Sequence, residues 1–157
     1  MASTAVCSSA NNRLNRSVRQ FTMYYDDYPT CKATYATLCI YHDKLEPDVI
    51  SSRLGLTPSK SQKKGQELGP NRLAPLGGWF LSSQDHVISK DVRRHVAWIL
   101  DQVEGREEQF LKLKDEGYRT SISCYWLSAH GHGGPELDPE IMQRLVSFGL
   151  LISFDVY

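Results

Sequence analysis

Two histidines, His130 and His132, lie in the glycine-rich stretch Ala129-His-Gly-His-Gly-Gly-Pro135. A His-x-His pair can supply two imidazole ligands to zinc, and Asp138 could add a carboxylate. A complete site needs three or four ligands on fixed elements, with hydrogen-bonded partners behind them. Two histidines in a glycine loop therefore favour a turn. His130 and His132 stay candidate ligands only, and neither a metal site nor a cofactor is predicted.

The chain has four cysteines, and their positions are Cys7, Cys31, Cys39 and Cys124. Their spacing matches neither a CxxC metal motif nor a dense disulfide framework, which favours reduced thiols and a cytoplasmic location. Cys124 is predicted to face the core, where a thiol stays protonated and unreactive, and Cys39 is predicted on the other sheet face without a neighbouring base. The G-x-S-x-G, H-E-x-x-H and Rossmann glycine patterns are absent from the sequence. These observations favour a protein that is not an enzyme.

Three lysines, Lys60, Lys63 and Lys64, precede Gly65 in a long irregular stretch. Ammonium groups and free backbone N–H groups can bind an anion such as phosphate. The stretch lacks the G-x-x-x-x-G-K-[ST] pattern, and it follows the C-terminal end of a predicted helix, where the helix dipole disfavours phosphate. A solvated loop is therefore the favoured interpretation, with the three lysines as candidate anion ligands.

Alternation of apolar and polar residues predicts four main strands separated by helical segments. The predicted strands are residues 33–42, 78–82, 118–128 and 150–157. The order β-α-β, a long helical segment and β-α-β predicts an α+β fold of the ferredoxin-like type. We expect a two-layer sandwich whose mainly antiparallel sheet has four to five strands and helices on one face.

Two helices carry matching boundary signals, which suggests a pseudo-twofold relationship between two β-α-β units. One begins at Pro47 and ends at Gly55; the other begins at Pro139 and ends at Gly149. Proline suits the first position of a helix, and glycine suits the left-handed residue that ends one. Between these helices, Ser89 is the predicted N-cap of a longer helix that Gly105 should break.

Helical spacing also predicts which side chains face the core. Val49 is assigned to the apolar face of the first helix, and Met142 and Val146 to that of the last. His86 and His95 are placed at the surface beside the long helix.

The sheet face opposite the helices is the main candidate for function. Successive side chains of a strand point to opposite faces, so parity assigns a set of residues to this face. The set is Tyr35, Thr37, Cys39, Tyr41, Arg119, Ser121, Ser123, Tyr125, Ser153, Asp155 and Tyr157. Aromatic rings, hydroxyls and one charge of each sign could bind a planar or amphipathic ligand or another polypeptide. The alternative is that the N-terminal segment or a second subunit covers the face.

The composition separates residues 1–32 from the rest of the 157-residue chain. Residues 1–25 contain no Asp or Glu, three arginines and many small polar residues. Such a segment favours a disordered or loosely attached tail, and an organelle transit peptide is the alternative. Residues 33–157 are then predicted to form a single domain.

Charge and hydropathy argue against two broad classes of partner, nucleic acids and membranes. The chain balances 18 basic against 18 acidic residues. Nucleic-acid binders usually carry a basic excess, so this class is disfavoured. No apolar run approaches the ~20 residues needed to span a membrane.

A series of short motifs along residues 33–157 resembles the sequence pattern of the domain-of-unknown-function family 4279, found mostly in bacteria. The motifs are Tyr35-Ala36 with Leu38 and Ile40, Leu45-x-Pro47 with Ile50, Leu54-Gly55-Leu56-Thr57-Pro58, Lys64-Gly65, Gly78-Trp79 and Asp155-Val156-Tyr157. The resemblance implies a compact α/β domain. It implies no activity and carries over no catalytic residue.

The sequence therefore predicts a non-enzymatic module that binds a protein or a small ligand on the sheet face, with self-association as one form of partner. The alternative is a small hydrolase-like or metal-dependent enzyme. It would use Arg119, Asp155 and tyrosines, with His130 or His132 as acid or base.

Overall fold

The computed structural model describes residues 23–157. The predictions made for residues 1–22, including the tail, the targeting composition and the role of Cys7, lie outside the described residues. The described strands are β1 (Cys31–His42), β2 (Lys60–Gln62), β3 (Glu67–Gly69), β4 (Arg72–Leu73), β5 (Gly77–Ser82), β6 (Arg119–Ser128) and β7 (Leu151–Val156). The described helices are α1 (Pro47–Leu54), α2 (Val92–Gln102), α3 (Glu107–Asp115) and α4 (Pro139–Phe148).

Five strands form one mixed sheet in the order β2-β5-β1-β6-β7, and β3 with β4 forms a small separate hairpin. The pairs β2–β5, β1–β5 and β1–β6 are antiparallel, whereas β6–β7 is parallel. The predicted α+β class is confirmed. The ferredoxin-like arrangement is not, and the two β-α-β units are not equivalent: α1 leads from β1 to β2, which lie on either side of β5 in the sheet, whereas α4 leads from β6 to its direct parallel neighbour β7.

The boundaries of α1 and α4 follow the signals in the sequence. Gly55 and Gly149 both end their helices in the left-handed conformation, with φ of 62° at each. At the start of α4 the Asp138 side chain accepts a hydrogen bond from the backbone N–H of Ile141. Proline occupies the first turn of both helices. These capping features were readable because each acts within a few residues of chain.

The core lies between one face of the sheet and the helices. From β1 it takes Ala36, Leu38 and Ile40, all fully buried, as strand parity predicted. Trp79 from β5 and Trp126 from β6 are the largest fully buried side chains. Burial of apolar surface at ~25 cal/mol per Å² is the main force that holds these layers together.

Three apolar residues that the sequence assigns to the core lie at the surface, so these assignments are wrong. Val49 is 51% exposed, Met142 46% and Val146 79%. Ile141 and Leu145 of α4, which the same spacing assigns to the core, are buried as predicted, so the helix presents a narrower apolar stripe than the sequence suggests.

The start of the long helix also differs from the prediction. The N-cap of α2 is Asp91, whose side chain accepts from the backbone N–H of Arg93, and not Ser89. Ser89 lies two residues earlier and accepts through its carbonyl from the His95 ring. The break near Gly105 is confirmed by the separation of α2 from α3.

Residues 23–30 pack against the domain. The backbone N–H of Tyr25 donates to Asp91 Oδ2 over 2.9 Å. The ring of Tyr28 meets that of Trp126 edge-on, with centroids 5.5 Å apart. The chain therefore reaches β1 along the N-terminal end of α2.

Candidate functional site

The side of the five-stranded sheet that the helices do not cover is here called the open face. Its residues form rows that run across the strands. Strand register places Tyr35 beside Tyr125 and Tyr125 beside Asp155. A second row joins Thr37, Ser123 and Ser153. All candidate residues of this face lie on β1, β6 or β7, or immediately after β7.

Tyrosine rings form a continuous row at one end of the open face. The rings of Tyr35 and Tyr125 stack with centroids 5.0 Å apart and planes 14° apart. The Tyr125 ring also lies 5.4 Å from that of Tyr157, at a tilt of 33°. Tyr157 is 69% exposed, while Tyr35 and Tyr125 are half-buried. Tyrosine offers a large apolar ring with a polar tip, which suits a surface that binds and releases a partner.

A second aromatic cluster lies at the other end of the open face. The Tyr41 and Phe80 rings meet edge-on at 5.3 Å. The Phe80 ring covers the backbone of Gly78, because a Cβ there would stand 2.5 Å from Phe80 Cζ. Cys39 is only 7% exposed beneath this cluster, and burial raises the pKa of its thiol to about 11. Cys39 pairs with Phe80 and Ser121 on the open face but is buried there, and its thiol is protonated at neutral pH.

Small hydroxyl side chains fill the middle of the open face. Thr37, Ser121 and Ser123 are half-buried, and Ser153 is exposed. A band of hydroxyls between two aromatic clusters gives a shallow, polar centre with apolar ends.

The charged candidates of the open face lie far apart. Arg119 begins β6 and pairs with Tyr41, whereas Asp155 pairs with Tyr125. Six residues of β6 separate these positions, which corresponds to ~20 Å along a strand. The two groups therefore cannot act on one reacting atom.

The lysine stretch holds fewer free cations than its sequence suggests. Lys63 Nζ lies 2.5 Å from Glu46 Oε2, and Lys64 Nζ lies 2.7 Å from Asp43 Oδ2. Lys60 begins β2, opposite Phe80, and is exposed. The three lysines are thus brought near the sheet edge, with two of them paired to carboxylates.

The histidine loop places its two rings beside each other. The His130 and His132 centroids lie 5.9 Å apart, and both side chains are exposed. Among residues 23–157, no group of three or more His, Cys, Asp or Glu side chains is placed to hold a metal ion. Ser128 Oγ donates a hydrogen bond to the His132 carbonyl over 3.1 Å.

A buried polar cluster, which sequence reasoning missed, lies behind β1 at the start of α2. Ser83 Oγ lies 2.8 Å from His95 Nδ1, and His95 Nε2 lies 2.9 Å from the Ser89 carbonyl. A carbonyl can only accept, so Nε2 carries the proton and Ser83 donates to Nδ1. Ser83 Oγ in turn accepts from the backbone N–H of Ala36. The expected surface position of His95 is wrong, because the residue is 1% exposed.

An ion pair extends this cluster toward residues 23–30. Arg93 Nη2 donates to Asp91 Oδ2 over 2.6 Å, and Arg93 Nε donates to Oδ1 over 3.0 Å. Burial alone would raise the pKa of the Asp91 carboxyl, but hydrogen bonds from Arg93 and from the Tyr25 N–H outweigh it and lower that pKa. The pair is therefore charged and fastens the chain at Tyr25 to α2.

The buried cluster resembles a Ser–His dyad in its atoms but not in its accessibility. Ser83 is fully buried, so no substrate can reach its hydroxyl. Burial lowers the pKa of His95, which keeps the ring neutral. The cluster connects β1, β5 and α2, and its role is structural. Helical spacing could have revealed it, because His95 falls between Val92 and Val96 on the buried stripe of α2.

Comparison with known proteins gives one match. The family model described as a domain of unknown function, DUF4279, matches residues 31–157. No curated protein matches the chain, and no solved structure matches it. Among the described residues, no helix is long and apolar enough to cross a membrane.

Proposed function

The chain belongs to the DUF4279 family, and we propose that it is a non-enzymatic binding module that holds a polypeptide partner on the open face of its sheet. The observation that carries the proposal is the tyrosine row of Tyr35, Tyr125 and Tyr157. Aromatic residues are enriched at protein interfaces and supply much of their binding energy.

The shape and chemistry of the open face favour a polypeptide over a small molecule. Small-molecule sites are usually concave and bury most of the ligand. The open face instead spreads its groups over four strands, with Tyr41 and Phe80 at one end and the tyrosine row at the other. A face with apolar ends and hydroxyls between them suits an extended or helical segment of another protein.

The enzymatic alternative has less support. Arg119 and Asp155 are six strand positions apart, too far for the two groups to act on one reacting atom. The single domain of residues 33–157, the N-terminal segment of residues 1–32 and the cytoplasmic location stay predictions.

The test is affinity capture from a cell lysate with three baits. The baits are the parent chain, a Tyr125→Ser variant that removes the centre of the tyrosine row, and a Leu73→Ser control on the β3–β4 hairpin, where Leu73 is 63% exposed. We expect the parent and the control to retain the same polypeptides and Tyr125→Ser to lose them. Hydrogen exchange on the captured complex should then show protection in β1, β6 and β7. Equal capture by all three baits, or protection confined to the helices, would refute the proposal.

A further inference from the structure

The outer edge of β7 carries backbone N–H and C=O groups that point away from β6 and do not hydrogen-bond to it. The N–H of Tyr157 donates to the Trp126 carbonyl over 2.9 Å, and the Tyr157 carbonyl accepts from the Ser128 N–H over 2.8 Å. Peptide groups of a strand alternate in direction, so those of Asp155 also point toward β6. The outward groups are then those of Ile152, Phe154 and Val156. Within residues 23–157 no further strand pairs with them.

The side chains of this edge do little to prevent pairing with another strand. Natural proteins protect an edge with lysine, proline or a bulge. Residues 151–157 contain no lysine and no proline, and their one charge is Asp155. Leu151 is 62% exposed, Val156 57% and Tyr157 69%. An exposed apolar edge of this length is a site for strand addition.

The sequence of the edge is self-complementary about Phe154. Reading outward from Phe154, each direction gives one polar residue and then two apolar ones: Ser153, Ile152 and Leu151 one way, and Asp155, Val156 and Tyr157 the other. In an antiparallel pair centred on Phe154, Ile152 faces Val156 of a second copy, and Leu151 faces its Tyr157. Every apolar residue then meets an apolar one, and a twofold axis satisfies both copies at once.

We propose that two copies of this chain pair antiparallel through β7, about a twofold axis at Phe154, and so join their sheets into one continuous sheet. The outward groups of Ile152 and Phe154 meet equivalent outward groups in this register, which antiparallel hydrogen bonding requires.

Charge supports a second copy in this orientation. A parallel pair in register would place Asp155 beside Asp155 of the second copy, which like charges disfavour. The antiparallel register places Asp155 opposite Ser153, whose hydroxyl can donate to the carboxylate. Lys114 and Arg119 line a depression beside Leu151. The Tyr157 ring of the second copy would arrive there and could lie against a cation.

This pairing is independent of the proposed partner on the open face, so the two can fail separately. Sedimentation of the full chain over a range of concentrations should give a mass near twice 17.8 kDa that falls on dilution. Val156→Lys should raise the dimer dissociation constant by about tenfold or more. The control is Val49→Lys, because Val49 is similarly exposed, at 51%, but lies on α1. A single-chain mass at every concentration, or a dimer that Val156→Lys leaves intact, would overturn the pairing.

Cysteine crosslinking tests the register directly in a Cys7→Ser background. Chains with Ser153→Cys mixed with chains with Asp155→Cys should form an intermolecular disulfide under air, because these positions are opposite, at ~4.5 Å between Cα atoms. Each variant alone should crosslink much less, since like positions are offset by two residues. Ser153→Cys crosslinking by itself would place the axis at Ser153 and overturn the Phe154 register. The absence of crosslinks in the mixture would overturn the register as well.

Discussion

The hydroxyl of Ser83 and the imidazole of His95 lie 2.8 Å apart in a part of the core that solvent does not reach. This contact joins the end of β5 to α2, and through the Ala36 N–H it also involves β1. Both ring nitrogens are occupied in the neutral tautomer, because Nε2 lies 2.9 Å from the Ser89 carbonyl. Protonation of Nδ1 would bury a charge and reverse this bond, with Nδ1–H donating to Ser83 Oγ and the hydroxyl donating to the Ala36 carbonyl 3.1 Å away.

The first prediction concerns the pH dependence of stability. Burial lowers the pKa of His95 below the 6.5 usual for a free imidazole, although the bond to the Ser89 carbonyl and the charges of Asp91 and Asp26 favour the charged form. The unfolded chain therefore binds the proton first as pH falls. The contribution of His95 to the unfolding free energy is fully present above pH 6.5. It is lost progressively as the pH falls below 6.5, by about 1.4 kcal/mol for each pH unit between the pKa of His95 in the unfolded chain and its lower pKa in the folded chain.

Urea unfolding at pH 7.5 and pH 5.5 checks this prediction. His95→Gln removes the titration and should flatten the difference in unfolding free energy between the two pH values. The matched control is His86→Gln, because His86 is exposed and stacks on Trp98 with centroids 4.7 Å apart. If the parent and His95→Gln lose the same unfolding free energy between pH 7.5 and pH 5.5, His95 is not the cause of the loss of stability in acid.

The second prediction concerns the ion pair of Asp91 with Arg93. Asp91→Ala leaves the Arg93 guanidinium without its main partner and leaves the Tyr25 N–H without an acceptor. Removing one member of a buried pair typically costs about 3–5 kcal/mol in unfolding free energy.

The control for the second prediction is the exposed pair of Arg94 with Asp26. Arg94→Ala should cost much less in chemical denaturation than Asp91→Ala, because solvent screens exposed charges. Limited proteolysis near Tyr25 should also accelerate in Asp91→Ala and not in Arg94→Ala. Equal losses of unfolding free energy in the two variants would show that the buried pair of Asp91 with Arg93 stabilises the fold no more than an exposed pair does.

The third prediction concerns the glycine that ends α4. Gly149 has a φ of 62°, which costs a residue with a Cβ about 1–2 kcal/mol. Gly149→Ala should lower the unfolding free energy by that amount for backbone reasons alone, since the nearest atom to the new Cβ would be Leu111 Cδ2 at 3.6 Å. Gly134→Ala is the control, because nothing lies within 4 Å of its Cβ position. A loss at Gly134 as large as at Gly149 would contradict this explanation.

Local signals made the helix ends and the strand faces predictable. Pro47, Gly55, Pro139 and Gly149 act on the residues next to them, so their effect is present in the sequence itself. The alternation of Ala36 with its neighbours likewise needs no knowledge of the fold.

Features that depend on distant parts of the chain were not predictable in this way. The similarity between the two helix-containing units suggested equivalent units, yet β5 separates the two strands that α1 connects, whereas the two strands that α4 connects are direct parallel neighbours. Met142 and Val146 lie next to the buried stripe of α4, and only the position of that helix decides their exposure. His95 was misplaced because its hydrogen-bond partner, Ser83, lies on another element.

The last prediction concerns Gly78 and the ring that covers it. A Cβ at position 78 would stand 2.5 Å from Phe80 Cζ, so Gly78→Ala must displace the Phe80 ring and disturb its contact with Tyr41. We expect a loss of about 1–3 kcal/mol in unfolding free energy, as for overpacking elsewhere. In a Phe80→Ala background the obstructing ring is absent, so the same Gly78→Ala substitution should cost clearly less. A double-mutant cycle by urea denaturation measures the difference, and additive losses would mean that the ring and the glycine are not coupled.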